Sequence, residues 1–330
     1  MDPKLQALLT QRRTRVEPEE PSVDISDEAL LAQMEERERQ KAAAIMSRVC
    51  NSMLTVAGGK YPDVYPLQDD SRFFMQTILD ELDGLTRLEP ALAVEVGCGA
   101  APSGVLLSRL LPSTAVLGTD ISLSATGAAA ENAANNKTMM HLARMDLLAG
   151  LRPGTVDLLV FLAPYVPTSG DKLTAASASA LAATQPVSGI FDATWLWAGG
   201  PNGTALVERF VRDDLERVLS PDGVALLLFS ASSESVGMIE RASKGALTAS
   251  VVARCNDPTL GDKMRVCVVR VERSADAPAA PSSKLLSSMA NVSMSASCSS
   301  SNSSSNIRTG EWREQVDART HKEESRQPRL

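Results

Sequence analysis

Three acidic residues, Glu95, Asp120 and Asp146, stand at or just beyond the ends of short apolar runs, and a glycine turn, Gly97-Cys98-Gly99, follows the first of them. An apolar run that ends in Gly-x-Gly ahead of a helical stretch leaves backbone N–H groups and a surface without side chains at the strand's carboxyl end. That is where open α/β sheets bind ligands. A nicotinamide dinucleotide needs the spacing G-x-G-x-x-G, with its pyrophosphate seated on the helix N-terminus. Here Pro102 holds the third glycine's place, and Glu95 would set negative charge against the phosphates. The same carboxylates suit a cationic ligand without phosphate. S-adenosylmethionine is one: it carries an ammonium, a sulfonium and a ribose diol. Asp120 would then accept the two ribose hydroxyls, and Asp146 the adenine amino group.

The elements that must position these residues are legible as alternating patterns. Ala91 to Val96 reads as a strand and Val105 to Leu111 as a helix. Ala115 to Thr119 reads as a second strand closed by Asp120, and Ser124 to Asn135 as an alanine-rich helix. Asp146 follows a third short strand. Val156 to Leu162 and Gly223 to Ser230 read as buried strands, near-continuous apolar runs apart from Asp157 and Ser230, as strands covered on both faces are. An amphipathic helix is expected over Leu206 to Leu219 and a short helix over Ser235 to Ser243. Two final strands, Ser250 to Arg254 and Met264 to Val271, would be joined by a Gly-Asp turn and form an antiparallel edge. Strands alternating with helices imply parallel β-α-β units.

The flanks differ in composition from this core. Residues 1–59 form a polar extension in which Pro18 and Pro21 mark a disordered start. Ser26 is the expected N-cap of a long helix, with Leu30, Leu31, Met34, Ile45, Met46, Val49 and Met53 at helical spacing. One domain is expected over residues 60–274. Residues 275–330 contain the serine-rich run Ser295 to Ser305 and read as a disordered tail.

Composition excludes several functions. The 330 residues carry 33 Lys+Arg against 40 Asp+Glu, a net charge of -7, which disfavours non-specific nucleic-acid binding. The 5 cysteines form no CxxC pair and only His141 and His321 could join them, so neither a disulfide framework nor a structural metal site is expected, and the reducing cytoplasm fits best, with the nucleus as an alternative. No apolar run reaches the length of a membrane span, and no apolar leader follows Met1. There is no G-x-S-x-G for a serine hydrolase, and Ala198-Gly199-Gly200-Pro201-Asn202-Gly203-Thr204 lacks the lysine of a P-loop.

Further motifs lie in order along the chain: Asp63-Val64-Tyr65 with Asp69-Asp70-Ser71, Val94-Glu95-Val96-Gly97-Cys98-Gly99, Thr119-Asp120-Ile121, and Met145-Asp146-Leu147-Leu148. Val156-Asp157-Leu158-Leu159-Val160-Phe161 with Pro164-Tyr165-Val166 follows, then Trp197-Ala198-Gly199-Gly200-Pro201-Asn202-Gly203. With these the sequence resembles the class I S-adenosylmethionine-dependent methyltransferases, and within them the eukaryotic branch of the HemK/PrmC glutamine methyltransferases that modify translation release factors. The resemblance implies a Rossmann-like α/β fold: a mostly parallel seven-stranded sheet with an antiparallel edge and helices on both faces. It implies cofactor contacts at Ser71, Glu95, Gly97, Gly99, Asp120, Asp146 and Leu147. Ser71 replaces the family's usual threonine and keeps the hydroxyl. The family's third glycine falls at Ala101, and Pro102-Ser103 read as an insertion before Gly104.

The methyl-acceptor motif departs furthest. Where the family carries Asn-Pro-Pro-Tyr, this sequence has Leu162-Ala163-Pro164-Tyr165. In the family the asparagine oxygen and the next residue's carbonyl accept the two N–H bonds of a glutamine amide, and the tyrosine ring packs on the amide plane. Leu162 cannot accept a hydrogen bond, whereas Ala163 keeps its carbonyl and Tyr165 its ring. The leading expectation is therefore a protein methyltransferase acting on a release-factor glutamine, or on a lysine side chain. A methyltransferase-fold scaffold with impaired catalysis is the alternative, and adenine methylation in nucleic acid ranks third. The resemblance also implies a small zinc-binding activator subunit that forms a heterodimer with the chain.

Overall fold

The computed structural model describes residues 27–183, 194–230, 235–255 and 266–275. Within them β1 (Leu92–Val96), β2 (Ala115–Asp120), β3 (His141–Arg144) and β4 (Val156–Leu162) form parallel pairs in one sheet. The short strands β5 (Val166–Pro167) and β6 (Ala198–Gly200) make a separate parallel pair. The main sheet continues through β7 (Leu219–Ser230), parallel to β4, and ends in the antiparallel β8 (Leu247–Cys255) and β9 (Val266–Arg273). Its seven strands run in the order β3-β2-β1-β4-β7-β9-β8. This is the expected mostly parallel sheet with an antiparallel edge. The Gly-Asp turn expected between β8 and β9 lies outside the described residues, as do Ser26 and the serine-rich tail.

Strand periodicity divides the core in two. Ala93, Leu158, Val160, Leu226 and Leu228 face one side with Phe74, Met75, Ile78, Leu106 and Leu107. Their neighbours Val94, Leu159, Phe161, Leu227 and Phe229 face the other, with Val207, Phe210, Leu215 and Val218. The first side is covered by α2 (Asp69–Asp80), α3 (Leu82–Arg87), α4 (Pro102–Leu110) and α5 (Leu123–Asn135), preceded in the chain by α1 (Asp27–Thr55). On the second side lie α7 (Ala205–Phe210), α8 (Glu216–Val218) and α9 (Ser235–Ala242), while α6 (Gly170–Ala182) follows β5. Because successive strand side chains alternate between faces, an apolar run such as Leu158 to Leu162 of β4 is what a sheet with two cores requires.

Two elements differ from the sequence reading. The helix expected over Leu206 to Leu219 is broken into α7, a π-helical turn at Val211–Leu215, and α8, and Leu219 already belongs to β7. Pro221 biases Ser220 away from the helical region, and Leu219 leaves it first with ψ 129. The long helix α1 behaves differently along its length. Met34 is exposed, whereas Val49 and Cys50 join the first core, and Met53, Val56 and Ala57 pack with Val64, Ala100, Ala125 and Ala128. None of the described helices is long and apolar enough to cross a membrane.

Candidate active site

The neighbours β1 and β4 lie at the point where the strand order reverses, and a cavity opens at the carboxyl ends of β1, β2 and β4. Its floor is the turn after β1. Gly97 and Gly99 both have left-handed backbones, φ 56 and φ 53. A Cβ at Gly97 would come within 3.3 Å of the Phe161 ring. Ala101 is also left-handed, φ 55 and ψ 50, a conformation that costs a residue with a Cβ about 1–2 kcal/mol. Pro102 follows as the first residue of α4, where its missing N–H is no loss. Pro102 and Ser103 are thus the first turn of the helix, and α4 begins three residues before the Val105 expected from sequence.

Glu95 closes that turn. Its Oε1 accepts the Ser103 N–H at 3.1 Å and its Oε2 the Gly104 N–H at 2.7 Å, so a strand carboxylate caps the helix opposite. A Cβ at Gly104 would sit 2.8 Å from Glu95 Oε2, which explains the glycine there. Glu95 is only 6% exposed, and this burial pushes its carboxyl pKa up to about 8 even though the two N–H bonds pull the other way. Asp120 is held alike: Oδ2 accepts from Gly99 N at 2.9 Å and Oδ1 from Ser122 N at 2.8 Å. Burial raises its carboxyl pKa as well. Beside it the Thr119 Oγ1 is buried without a hydrogen-bond partner among the described residues.

Asp146 has a partner that the sequence did not indicate. Arg209 of α7 grips it with two bonds, Nη1 to Oδ2 at 2.9 Å and Nη2 to Oδ1 at 2.8 Å, and both side chains line the cavity. A second acceptor direction remains on each oxygen. Leu147 follows with φ 47. Arg209 was invisible in the sequence, where a charge on an amphipathic helix reads as solvated. Leu173 and Ser177 of α6, together with Trp195 and Leu196, add to the cavity's wall.

Leu162, the last residue of β4, and Pro164 line the same cavity as Ser71, Glu95, Gly97, Gly99, Asp120, Asp146 and Leu147. Ala163 and Tyr165 stand behind that lining. Ala163 is fully buried and its N–H donates to Leu228 O at 3.0 Å. The Tyr165 hydroxyl donates to Asp70 Oδ2 at 2.9 Å, and the Tyr65 hydroxyl donates to the same oxygen at 3.1 Å. Burial and the Asp70 charge raise both phenol pKa values.

The glycine-rich run after the cavity wall has a steric reason. β6 pairs with β5, directly after Tyr165, through Val166 N to Trp197 O at 3.0 Å and Thr168 N to Gly200 O at 2.9 Å. A Cβ at Gly199 would meet Gly203 O at 2.7 Å and Pro164 O at 2.8 Å. At Gly203, with φ 73, it would overlap Tyr165 O. Both glycines therefore let one backbone lie against another and hold the Pro164-Tyr165 turn at the mouth of the cavity.

The donor set can be tested against a cofactor. Three acidic side chains line the cavity and its one lining guanidinium is already paired to Asp146. Among the lining residues a phosphate would therefore find no uncommitted cation, whereas the ammonium and hydroxyls of a sulfonium nucleoside would find acceptors. Among the described residues no group of three His, Cys, Asp or Glu could hold a metal ion. A family model described as methyltransferase small domain matches residues 68–185. The mouse protein named Methyltransferase HEMK2 is 31% identical over 176 residues, which span 52% of this chain and 74% of that protein. The chain belongs to the HemK/PrmC methyltransferase family. It is an S-adenosylmethionine-dependent methyltransferase. This methyltransferase is also 26% identical over 189 residues to the eRF1 methyltransferase catalytic subunit mtq2 of Schizosaccharomyces pombe, covering 53% of this chain and 76% of that one. A release factor glutamine methyltransferase of Rhodopirellula baltica is 28% identical over 155 residues, 46% of this chain and 48% of that protein.

Two outcomes are expected of this geometry. Glu95, with its carboxyl pKa raised to about 8, is mostly protonated at pH 7 in the free protein. An ammonium brought beside it favours the charged form, so S-adenosylmethionine binding should release a proton at pH 7 and none above about pH 9. Calorimetry in buffers of different ionisation enthalpy measures this, and Glu95→Gln should abolish the release. The same raised pKa makes Glu95's contribution to stability fully present below its ordinary value near 4.5 and lost as pH rises through about 8. The second outcome concerns Gly203→Ala. It should displace the Tyr165 carbonyl and lower methyl transfer about a hundredfold, the scale of a misplaced reacting group. Cofactor affinity, measured by the same calorimetry, should change less than about threefold.

Proposed function

We propose that this methyltransferase acts on a protein side-chain nitrogen, and that its substrate is the N5 amide of a glutamine in a translation release factor. The observation that carries this reading is the Pro164-Tyr165 turn. It is clamped by Gly199 and Gly203 at the mouth of a cavity lined by carboxylates, with Leu162 and Ala163 leading into it. The names of the relatives support the substrate: two of them are release-factor methyltransferases. The net charge of -7 does not support nucleic acid as an acceptor.

S-adenosylmethionine supplies a methyl carbon made electrophilic by the positively charged sulfur that carries it. The chain's residues would bind and orient. Asp120 fits the ribose diol, Asp146 the adenine amino group, and Glu95 the ammonium end, with Gly97 and Gly99 leaving the floor open. Ser71 and Leu147 complete the set. On the acceptor side an amide nitrogen is a weak nucleophile because its lone pair is delocalised, so its orientation decides the rate. The Ala163 carbonyl can accept one N–H bond and the Tyr165 ring can flank the amide plane. Leu162 offers nothing for the second N–H, a loss of about 1–3 kcal/mol, or roughly tenfold to a hundredfold in rate. An amine such as a lysine side chain needs no such amide alignment, and the apolar Leu162 would favour its neutral form. Lysine is the second reading on that ground.

A small zinc-binding activator also belongs to this proposal. Among the described residues β3 pairs only with β2, which leaves its other edge open, and Met139 beside it is exposed. The test of the acceptor reading is Leu162→Asn. With a release-factor substrate and labelled cofactor, this change should raise the rate of glutamine methylation at least about tenfold. A wild type already as fast as Leu162→Asn on glutamine would refute this account of Leu162, and no glutamine methylation by either protein would refute glutamine as the acceptor.

A further inference from the structure

The carboxylate that organises the acceptor side belongs to a residue outside both the cavity lining and the acceptor motif. Asp70 lies in the first turn of α2 and is 1% exposed. Its Oδ1 accepts from Ser71 N at 2.7 Å and from Ser71 Oγ at 3.3 Å. Its Oδ2 accepts from the Tyr165 hydroxyl at 2.9 Å and the Tyr65 hydroxyl at 3.1 Å. Four donors fill the four acceptor directions of one carboxylate. They come from three separate stretches of chain: the segment before α2, the α2 N-terminus, and the turn after β4, 95 residues away. Hydrogen bonds to an ionised acceptor are about twice as strong as neutral ones and fix geometry accordingly.

We propose that Asp70 is the positioning residue of the methyl-acceptor site: by holding the Tyr165 hydroxyl it fixes that ring against Ser71 and Tyr65, which line the cofactor cavity. The inference rests on the reading of Tyr165 as the flank of the acceptor. It adds that the tyrosine acts through a tethered hydroxyl and not as a ring alone. In this chain the tether carries more weight than it would beside an asparagine. With Leu162 in the first motif position, the Ala163 carbonyl and the Tyr165 ring are what remain to aim the acceptor. Asp70 couples that ring to Ser71 across one buried oxygen pair, so cofactor and acceptor sides share a single fixed reference.

The test separates a tether from mere packing. Tyr165→Phe keeps the ring and removes the hydroxyl, while Asp70→Asn keeps the shape and removes the charge. Each should lower kcat about tenfold to a hundredfold with the KM for S-adenosylmethionine changed less than about threefold. The double variant should be no slower than the slower single one, because both break the same link. The chain has 3 tyrosines, Tyr61, Tyr65 and Tyr165, so spectra of protein labelled with 13C at the tyrosine Cζ give an independent readout. Asp70→Asn should move the Tyr65 and Tyr165 resonances and leave that of Tyr61 in place. Full activity in Tyr165→Phe, multiplicative losses in the double variant, or an unmoved Tyr165 resonance would each overturn the tether. A wild type that transfers no methyl group to any protein nitrogen would instead overturn the function on which it rests.

Discussion

Carboxylates taken out of water at the carboxyl ends of β1 and β2 constrain most of what surrounds them. A buried charge is costly unless hydrogen bonds replace its hydration, and here the replacements are backbone N–H groups: Ser103 and Gly104 for Glu95, Gly99 and Ser122 for Asp120. Only a turn without side chains can bring those groups so close. The left-handed Gly97, Gly99 and Ala101, the proline that opens α4, and the bare Gly104 all follow from that requirement. Burial still prevails at Glu95, whose raised pKa keeps its carboxyl mostly protonated in the free protein at neutral pH. A cationic group beside it would favour the ionised carboxylate.

The proposed acceptor side obeys a different constraint, backbone against backbone. Gly199 and Gly203 let β6 and the turn that follows it press on the carbonyls of Pro164 and Tyr165, and Asp70 ties the tyrosine's far end. Position is thus supplied twice, by steric contact on one flank and by a charged hydrogen bond on the other. On the proposed reading, Leu162 offers no hydrogen-bond acceptor between these flanks, while the flanks themselves are in place. The glycine turn and its carboxylates are built on β1, β2 and α4 and the Pro164-Tyr165 segment on the stretches after β4 and β5, with Asp70 as the link between Ser71 and Tyr165.

The sheet was legible because its cause is local. Continuous apolar runs, glycines at strand ends and alternating helical stretches are written within a few residues of where they act, and the antiparallel edge followed from the last two runs. The broken helix after Ala205 was less so, since Leu206 to Leu219 keeps helical spacing and only Pro221 hints at the change. At the site, Glu95, Asp120 and the glycine turn could be read from spacing, and the acceptor motif from resemblance. What stayed hidden were partnerships across long separations. Arg209 meets Asp146 over 63 residues and Tyr165 meets Asp70 over 95. Nothing in the neighbourhood of either residue distinguishes such a pairing from a solvated charge. The steric purpose of Gly199 and Gly203 was equally out of reach, because it lies in the backbone of another segment.

The most direct measurement is tandem mass spectrometry of a release factor after incubation with this methyltransferase and S-adenosylmethionine bearing a deuterated methyl group. The account predicts the label on the side-chain nitrogen of a glutamine, or of a lysine if Leu162 has shifted the acceptor. A label confined to nucleic acid, or cofactor bound with no label transferred to any protein nitrogen, would contradict it.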